Sequence, residues 1–501
     1  MKNILLFGAG KSSTVLIDYL KKVTSERNWS ATIVDANYHQ VAIKTSNHKQ
    51  LKPVELDIND TIKRGELIQQ ADIVISLMPP SLHILIAKDC IKFKKNLLTA
   101  SYIDDATKAL AKDVLENDLI FLYEMGLDPG IDHMSAMQLI HKLKANGETI
   151  TKFRSHCGGL VAPESDDNPF HYKISWNPRN VVMAGKDGAT FKDDNQLIHL
   201  TYEDLFTKLQ TVTTPTGEVF GFYPNRDSLS YINLYNISTV SQFIRTTLRH
   251  PDFLIGWKNL IYHQLTNENK IYDTNGMSLQ QFFREHLKAT NMPNWVDHLM
   301  NEKLEQINEN ISNLLSKMEY NEITKQKEVS FVDDDGNYLT LNEEEVNQYA
   351  LQLMLNPKND ATKVKLDQLR FLGLTDEETI INKGLCSAAD VMQFALETKL
   401  PLQSKDKDRV VMLHEIETVK NNVTKQYKSL LDINGENNVH TAMAKTVGLP
   451  LGIAATLILD GVITTKGLQI PITPEIYNPI LLTLETEGIE FKEFEQEIRM
   501  Y

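Results

Sequence analysis

The sequence has few cysteines and no run of positive charge. Its 501 residues include only three cysteines, Cys90, Cys157 and Cys386, which lie far apart. This spacing indicates neither a disulfide framework nor a zinc site and is typical of a reducing compartment, so we expect a cytoplasmic protein without a metal site. The 52 Lys and Arg against 66 Asp and Glu give a formal charge of −14. Such a chain would repel nucleic acid and anionic membrane surfaces, so neither is an expected partner.

Long apolar segments are also missing. Residues 449–459 form the longest one, but this stretch contains Pro450 and is too short to span a bilayer. The apolar residues 4–7 run into Gly8 and Gly10 rather than into the cleavage site of a signal peptide. With 42% hydrophobic and 24% charged residues, the composition is that of a globular protein of about three domains. Small-molecule chemistry is therefore the expected type of function.

Short apolar runs rich in β-branched residues recur through the first quarter of the chain, separated by helix-like stretches. This alternation predicts a Rossmann-type, doubly wound parallel sheet, which is an α/β fold. The predicted strands cover residues 3–7, 31–34, 53–56, 72–77, 96–99 and 119–123.

The pattern changes after about residue 130. Longer and more polar strand candidates, such as residues 151–156, predict an inserted α+β domain. Helix formers and charges dominate residues 250–400, including a helix at 301–318, with a hairpin-like interruption at 329–341 around Asp335 and Gly336. This part should form a smaller, mostly helical domain.

The last hundred residues should return to the first two domains. Strands at 409–415 and 424–431 should rejoin the second sheet, followed by a helix at 442–459 with a break at Pro450 and a further helix at 476–499. The predicted domains are a Rossmann domain, a substrate-binding domain and a helical domain, covering residues 1–130 with 434–501, residues 131–260 with 401–433, and residues 261–400.

A glycine-rich turn lies where the first strand ends and a helix begins. It contains Gly8, Gly10, Lys11, Ser12 and Ser13. The first glycine permits a tight turn, the second lets backbone N–H groups approach a pyrophosphate, and the third position needs a small residue, a role that Ser13 fills less well than glycine. A nucleotide hydrolase loop would need a glycine at position 5, which is Leu5. The turn therefore predicts dinucleotide binding.

Asp35 ends the second strand and lies 22 residues after Ser13. This is close to the spacing at which a carboxylate binds the ribose hydroxyls of the adenosine. Its charge would repel a 2′-phosphate, and no Arg or Lys follows before Lys44. We therefore expect NAD as the preferred cofactor, with NADP as the second option.

Three loops should meet at the same edge of this sheet, because the carboxyl ends of parallel strands share one edge. They follow the fourth, fifth and sixth strands and carry Leu77 and Met78, then Thr99, Ala100, Ser101 and Tyr102, and finally Gly126, Leu127 and Asp128. On the residues alone, Tyr102 and Asp128 could equally be packed or turn-forming.

These loops belong to a longer set of ordered motifs that spans nearly the whole chain. The set resembles saccharopine dehydrogenase of the glutamate-forming type, also called saccharopine reductase. Its segments are TASY at 99–102, GLDPGIDH at 126–133, CGGL at 157–160, APE at 162–164, NP at 168–169, YK at 172–173, SW at 175–176, YPNRDS at 223–228, TLR at 247–249, AMAKTVGLP at 442–450 and EIY at 475–477. The charged region at about 265–400 matches poorly.

The resemblance implies a reaction and a set of site residues. The reaction is the reversible, NAD(P)-dependent oxidation of saccharopine to L-glutamate and 2-aminoadipate 6-semialdehyde in lysine metabolism. The resemblance also implies a homodimer, with the inserted α+β domain serving substrate binding and dimerisation. Asp128, Tyr102 and Cys157 match positions near the reacting carbon. The implied substrate-binding residues are Ser101, Tyr102, Asp128, Arg226, Thr247, Leu248 and Arg249. The implied cofactor-binding residues are Gly8, Gly10, Lys11, Ser12, Ser13, Asp35, Leu77, Met78, Thr99, Ala100, Gly126, Leu127 and Trp176.

Several alternatives remain open at this point. A related reductive-amination enzyme, such as carboxynorspermidine dehydrogenase, or a non-enzymatic nucleotide sensor would keep the glycine turn. Arg226 and Arg249 could instead form structural salt bridges to an Asp such as Asp227. Trp176 could be a core aromatic, and Cys157 could be a nucleophile. Asp132 and His133 resemble half of a metal site, although Asp132 is better placed to cap the following helix.

Overall fold

Seven parallel strands form the first sheet. In the computed structural model they are ordered β21-β6-β5-β4-β1-β2-β3. Their bounds are β1 Asn3–Phe7, β2 Ser30–Asp35, β3 Leu51–Glu55, β4 Ile73–Ser76, β5 Asn96–Thr99, β6 Ile120–Leu122 and β21 Gly467–Gln469. The structure describes residues 1–46, 48–269, 272–290, 304–305, 308–309, 311–332, 338–346, 348–349 and 361–498.

The first sheet is covered by apolar residues on both faces. Ile4 and Leu6 of β1 lie in one buried cluster, whereas Leu5 and Phe7 lie in another. Successive side chains of a strand point to opposite faces, so an unbroken apolar run is what a doubly covered parallel strand requires. The predicted Rossmann-type fold is thereby confirmed. The helices after these strands are α1 Thr14–Arg27, α2 Tyr38–Thr45, α3 Thr61–Gln70, α4 His83–Phe93, α5 Asp105–Lys108, α6 Ala111–Glu116 and α7 Ile131–Ala145.

The C-terminal part of the chain completes the first sheet. Strand β21 pairs in parallel with β6, and the helix Ala442–Leu459 packs on α1, with Gly448 against Leu16. The predicted break at Pro450 is wrong, because the helix runs through it. A proline inside a helix costs about 3 kcal/mol, but the apolar residues around Pro450 are buried, and each contributes about 1.5–3 kcal/mol. The helix is long and apolar enough to cross a membrane, yet 72% of it is buried inside the protein.

Ten strands form the second sheet, which is mixed. Its main path is β10-β11-β13-β7-β19-β20-β22, with β8, β9 and β12 attached beside it. The bounds are β7 Thr149–Val161, β8 Ala189–Asp193, β9 Gln196–Leu200, β10 Gln210–Thr213, β11 Val219–Pro224, β12 Arg226–Asp227, β13 Gln242–Arg249, β19 Asp408–Lys420, β20 Val423–Asn434 and β22 Lys492–Ile498. Two short helices lie in this region, α8 Pro178–Val182 and α9 Leu229–Leu234. As predicted, the strands after residue 400 rejoin this sheet.

The predicted helix at 476–499 is only half right. A helix covers Pro474–Thr486, but Lys492–Ile498 is a strand antiparallel to β20. Its Lys and Glu residues have good helix propensity, which is a weak preference that tertiary contacts override. Here the free edge of β20 supplies a full set of backbone hydrogen-bond partners.

The chain forms two compact units. The first contains Met1–Asp167, His171–Pro251 and Leu400–Tyr501, and the second contains Asn168–Phe170 and Asp252–Lys399. The second unit has the helices Pro251–Tyr262 (from residue 252 on), Leu279–Ala289, Ala361–Leu369 and Ala388–Lys399. Its strands are β14 Tyr272–Asp273, β15 Glu319–Asn321, β16 Gln326–Val332, β17 Tyr338–Asn342 and β18 Leu385–Cys386. The three domain boundaries stay a prediction, since both large sheets fall within the first unit.

The predicted hairpin at 329–341 is present, with Val329 opposite Leu341. Asp335 and Gly336 lie outside the described residues, as do residues 301–303, 306–307 and 310 of the predicted helix at 301–318. Within that stretch, residues 304–305, 308–309 and 311–316 are helical, as predicted.

Candidate active site

The glycine turn after β1 is shaped by close backbone contact on one side and open space on the other. Gly8 has a φ of +99°, and a Cβ there would lie 2.8 Å from the carbonyl oxygen of Leu77. At Gly10 an added Cβ would meet nothing within 4 Å. Ser13 is buried, and its hydroxyl donates to the Gly10 carbonyl over 2.8 Å. This hydrogen bond stabilises the turn. Lys11 and Ser12 form the short 3₁₀ turn Lys11–Ser13 that leads into α1.

Asp35 is joined directly to this turn. One carboxylate oxygen accepts from the Ala9 N–H over 2.8 Å, and the other accepts from the Asn37 N–H over 3.0 Å. Lys44 donates to the Gly10 carbonyl over 2.6 Å, and burial lowers its pKa to about 8. An open backbone at Gly10 and a carboxylate at the end of β2 fit the diphosphate and ribose of a dinucleotide.

A buried histidine that sequence reasoning missed connects the ends of β4 and β5. One ring nitrogen of His83 lies 2.8 Å from the Ser76 hydroxyl, and the other lies 2.8 Å from the Ser101 hydroxyl. The Thr99 hydroxyl lies 3.3 Å from the second nitrogen. Burial lowers the pKa of His83 to about 4, so the ring is neutral at pH 7. His83 therefore positions Ser101 through hydrogen bonds rather than through charge.

The loop after β6 is a compact turn that presents Asp128. Gly130 has a φ of +147°, and a Cβ there would overlap the carbonyl of Gly126. A Cβ at Gly126 would lie 3.0 Å from the Cβ of Ala100, so this loop packs against the loop after β5. Leu127 is buried in the core beside Asp128. The half-buried Leu77 and Met78 follow β4 at the same edge of the sheet.

Asp128 and Tyr102 meet at this edge, as the order of the strands predicted. The Tyr102 hydroxyl donates to Asp128 Oδ1 over 3.2 Å. Arg245, which sequence reasoning missed, donates from Nη2 to Asp128 Oδ1 over 2.6 Å and to Asp132 Oδ2 over 2.8 Å. The sequence did contain a signal for Arg245. Arg245, Thr247 and Arg249 are spaced two residues apart along β13, so their side chains lie on the same face of the strand.

Burial governs the charges in this cluster. It raises the pKa of Asp128 above its usual value despite the attraction of Arg245. Burial also opposes ionisation of Asp132, but His133, Arg245 and the Gly130 N–H together hold the pKa of this carboxyl below its usual value. The pKa of the Tyr102 hydroxyl is raised by burial. Two neighbouring carboxyls with pKa values shifted in opposite directions are typical of acid–base sites.

Asp132 and His133 are engaged by protein groups. Asp132 lies in the first turn of α7, where its Oδ1 accepts from the Gly130 N–H over 2.6 Å. The predicted N-cap role is therefore wrong in its position, because the N-cap is Gly130 itself. His133 lies between Glu124, at 2.8 Å, and the Tyr235 hydroxyl, at 2.6 Å.

Cys157 lies on β7 opposite Thr247 of β13. Register partners in neighbouring strands share one face of a sheet, so both face the same way as Arg245. Burial raises the pKa of the Cys157 thiol well above its usual value. A nucleophilic cysteine needs the opposite shift, so the structure argues against the nucleophile alternative.

Leu248 does not join these residues. Its side chain lies in a separate hydrophobic cluster with Leu160 and Val212, because it alternates with Thr247 and Arg249 along β13. Only its main chain can face a ligand at the site, and its carbonyl already accepts from Arg249 Nη1 over 2.7 Å.

Arg226 and Arg249 are held by different aromatic rings. The guanidinium of Arg226, whose side chain is 58% exposed, lies 5.5 Å from the ring centroid of Tyr102. Arg249 is buried and lies 5.1 Å from the ring centroid of Tyr172. The Trp176 indole N–H donates to the Tyr172 hydroxyl over 2.8 Å, which places the half-buried Trp176 near Arg249.

The alternative salt bridge between Arg226 and Asp227 is not formed. Asp227 accepts instead from the Leu229 N–H over 2.8 Å and from the Thr190 hydroxyl over 2.9 Å. Arg226 Nη1 lies instead 3.8 Å from Asp187 Oδ2.

Two protein-family models match the chain. One, described as the saccharopine dehydrogenase NADP binding domain, matches residues 4–121. The other, described as the saccharopine dehydrogenase C-terminal domain, matches residues 126–489. Together they cover the glycine turn, all three loops and both arginines.

Similar proteins of known name fall into two groups of different length. The α-aminoadipic semialdehyde synthase of Arabidopsis thaliana is 30% identical over 98% of this chain, but the match covers 44% of that protein. The chain thus spans about half the length of such relatives. The saccharopine dehydrogenase (NADP⁺, L-glutamate-forming) of Saccharomyces cerevisiae is 30% identical, and the match covers 98% of this chain and 99% of that protein.

Solved structures agree with the sequence matches. Apo saccharopine dehydrogenase (L-Glu forming) from Saccharomyces cerevisiae superposes with a TM-score of 0.77 at 26% identity, covering 99% of this chain and 100% of that one. The homospermidine synthase of Legionella pneumophila in complex with NAD shares the fold, with a TM-score of 0.52 at 10% identity and coverage of 99% and 92%.

Proposed function

The chain belongs to the saccharopine dehydrogenase family, and from this premise we propose that it is a glutamate-forming saccharopine dehydrogenase. It would oxidise saccharopine reversibly to L-glutamate and 2-aminoadipate 6-semialdehyde in lysine metabolism, using a nicotinamide dinucleotide. The observation that carries the proposal is the cluster in which Tyr102 contacts Asp128 and lies beneath Arg226. This cluster combines a proton-accepting group with a cation for a carboxylate.

The substrate is a secondary amine that carries several carboxylates. Arg226 and Arg249 supply planar guanidinium groups, which can bind carboxylates through two parallel hydrogen bonds. Arg226 is exposed and Arg249 is buried, so the two would bind at different depths of the site. In a chain with a net charge of −14, these local cations are needed to attract an anionic substrate.

We propose NAD as the preferred form of the cofactor. Asp35 supports this, because its carboxylate is held at the glycine turn by Ala9 and would repel a 2′-phosphate. Residues 36–43 contain no Arg or Lys. On the other side, the fungal relatives are named as NADP⁺ enzymes and the matching N-terminal family model is described as NADP binding. Kinetics with both cofactors therefore decides this point.

The protein's own groups would provide binding and proton transfer. When bound, the nicotinamide supplies the hydride chemistry. The Asp128 carboxylate would accept the proton of the substrate amine, and the Tyr102 hydroxyl would orient this carboxylate by donating to it. Cys157 would line the pocket as a neutral thiol, and Ser101, held by His83, would bind a polar group of the substrate.

The test is an absorbance assay at 340 nm with saccharopine and either NAD⁺ or NADP⁺. We expect saccharopine-dependent reduction of NAD⁺, with a kcat/KM at least about 10-fold above that with NADP⁺. No reduction of either cofactor would overturn the proposed activity. Turnover with carboxynorspermidine instead of saccharopine would identify the related reductive-amination enzyme, and dinucleotide binding without turnover of either amine would identify a sensor.

We also propose that the protein is cytoplasmic, which its three free cysteines support, and that it is a homodimer, which the family resemblance supports. Light scattering after size-exclusion chromatography should give twice the chain mass of 57.0 kDa. A mass equal to that of one chain would contradict the dimer.

A further inference from the structure

One nitrogen of Arg245 contacts three oxygen atoms of the site. Its Nη2 lies 2.6 Å from Asp128 Oδ1, 2.8 Å from Asp132 Oδ2 and 3.3 Å from the Tyr102 hydroxyl. The Arg245 side chain is only 2% exposed, and Nη2 carries two hydrogens. Two carboxyl groups therefore depend on one buried cation, and the strength of its bond to each of them sets how easily each takes up a proton.

We propose that Arg245 is a positioning residue that, together with Asp132, sets the proton affinity of Asp128. This inference rests on the proposed function. Asp132 stays ionised and holds Arg245 in place, whereas Asp128 exchanges the proton with the substrate amine. The guanidinium of Arg245 stabilises the ionised form of Asp128. Asp128 is therefore unprotonated in the resting site and can accept a proton from the substrate amine.

Asp132 is more fully enclosed and hydrogen-bonded than Asp128, as their different roles require. Asp132 accepts a second hydrogen bond from the Gly130 N–H over 2.6 Å, has His133 at 3.6 Å, and is 2% exposed. Asp128 has the Tyr102 hydroxyl as its other partner, and its side chain is 13% exposed. Of the two, only Asp128 lies open to a ligand.

The other ionisable groups around Asp128 come from several elements. They are Tyr102 after β5, Glu124 after β6, Asp132 and His133 of α7, Cys157 of β7, Tyr231 and Tyr235 at α9, Arg245 and Arg249 of β13, and His414 of β19. Burial raises the pKa values of Tyr102, Tyr231, Tyr235 and Cys157. It lowers the pKa of His414 to about 4. These five groups therefore stay neutral near pH 7.

The test compares Arg245→Met and Asp132→Asn in the pH dependence of kcat/KM for saccharopine oxidation. Asp128 must be ionised to accept a proton, so the rate falls on the acidic side as Asp128 is protonated. Loss of the cation should move this acidic limb to higher pH by about 1 unit or more, and loss of the neighbouring anion should move it to lower pH. Arg245→Lys should restore the limb toward the wild-type position. A purely structural role would not produce shifts in opposite directions.

Two controls separate positioning from binding and from folding. The affinity for saccharopine without added dinucleotide, measured by tryptophan fluorescence, should change less than about 3-fold in Asp132→Asn and Arg245→Lys, while kcat falls about 10-fold or more in Arg245→Met. Arg154→Met should leave the pH profile unchanged, because Arg154 lies opposite Ile244 and therefore on the other face of the sheet from Arg245.

The outcomes are distinct. Acidic limbs that stay in place, or that move in the same direction in folded Arg245→Met and Asp132→Asn, overturn the inference. If Arg245→Met does not fold, the isosteric Asp132→Asn decides, and an unmoved limb there overturns it. If the wild-type protein does not oxidise saccharopine with either dinucleotide, the proposed function itself fails instead.

Discussion

His83 connects Ser76 to Ser101, with each hydroxyl oxygen 2.8 Å from one of its two ring nitrogens. Ser76 is the last residue of β4 and Ser101 follows β5, so this single side chain links the ends of two neighbouring strands at the carboxyl edge of the first sheet. Because burial keeps the His83 imidazole neutral in the folded protein, the stability of the protein should depend on pH.

Acidification should destabilise the wild-type protein partly through His83. Its folded-state pKa of about 4 lies below the ordinary value of 6.5, so the unfolded chain takes up a proton first. The stability that neutral His83 contributes is present above pH 6.5 and is lost as the pH falls toward 4, by as much as about 3 kcal/mol. Urea unfolding at pH 7 and pH 5 should show a smaller acid-induced loss for His83→Gln. The exposed His199→Gln should behave as wild type, and an equal loss in both variants would contradict this account.

Replacement of Asp35 should change the cofactor preference. Asp35→Ser removes the charge that repels a 2′-phosphate and shortens the group that holds the Ala9 N–H. We expect the ratio of kcat/KM for NAD⁺ to that for NADP⁺ to fall at least about 10-fold, which corresponds to about 1.4 kcal/mol. Asp72→Asn is a matched control, because Asp72 precedes β4 at the opposite edge of the sheet and binds the Asn3 N–H. An unchanged ratio in Asp35→Ser would assign Asp35 a structural role only.

Removal of Arg226 should weaken substrate binding with little effect on turnover. The side chain is 58% exposed, so Arg226→Met should fold normally. A hydrogen bond to a charged group contributes about 1.5–3 kcal/mol. Its loss should therefore raise the KM for saccharopine about 10- to 100-fold. Initial-rate kinetics at saturating dinucleotide would measure this, and Lys208→Met, which removes an exposed charge elsewhere, controls for net charge. A KM within 2-fold of wild type would place the substrate carboxylates elsewhere.

The two glycines of the first turn should respond differently to alanine. Gly10→Ala meets open space, so the protein should keep its melting temperature while the new methyl group hinders the approach of a diphosphate and weakens dinucleotide binding about 10-fold or more. Gly8→Ala combines a positive φ with a close approach to Leu77, and should lower the stability by about 1–3 kcal/mol. Calorimetric melting and dinucleotide titration together test both. Full dinucleotide affinity in Gly10→Ala would argue against a diphosphate at this turn.

Much of the nucleotide-binding half was predictable because its determinants are local. The apolar runs require cover on both faces, and the glycine turn and Asp35 sit at element ends that the pattern marks. Since parallel strands share one carboxyl edge, the meeting of Tyr102 and Asp128 also followed from strand order.

The interior of the site was less predictable. Arg245 contacts residues that lie more than 100 positions away in the chain, and His83 contacts residues at the ends of two different strands. Neither residue stands in a local motif. The side of β13 that Leu248 faces, and the strand formed by Lys492–Ile498, likewise depend on the register of neighbouring strands.

The amino-acid sequence alone determined the parallel sheet, the glycine turn with its acidic partner and the family resemblance, because each depends on residues close in the chain or on ordered motifs. Only the tertiary structure decided which groups share a proton environment. Burial and contact between distant segments set the pKa values of Asp128 and Asp132 in opposite directions, and these quantities have no local pattern in the chain.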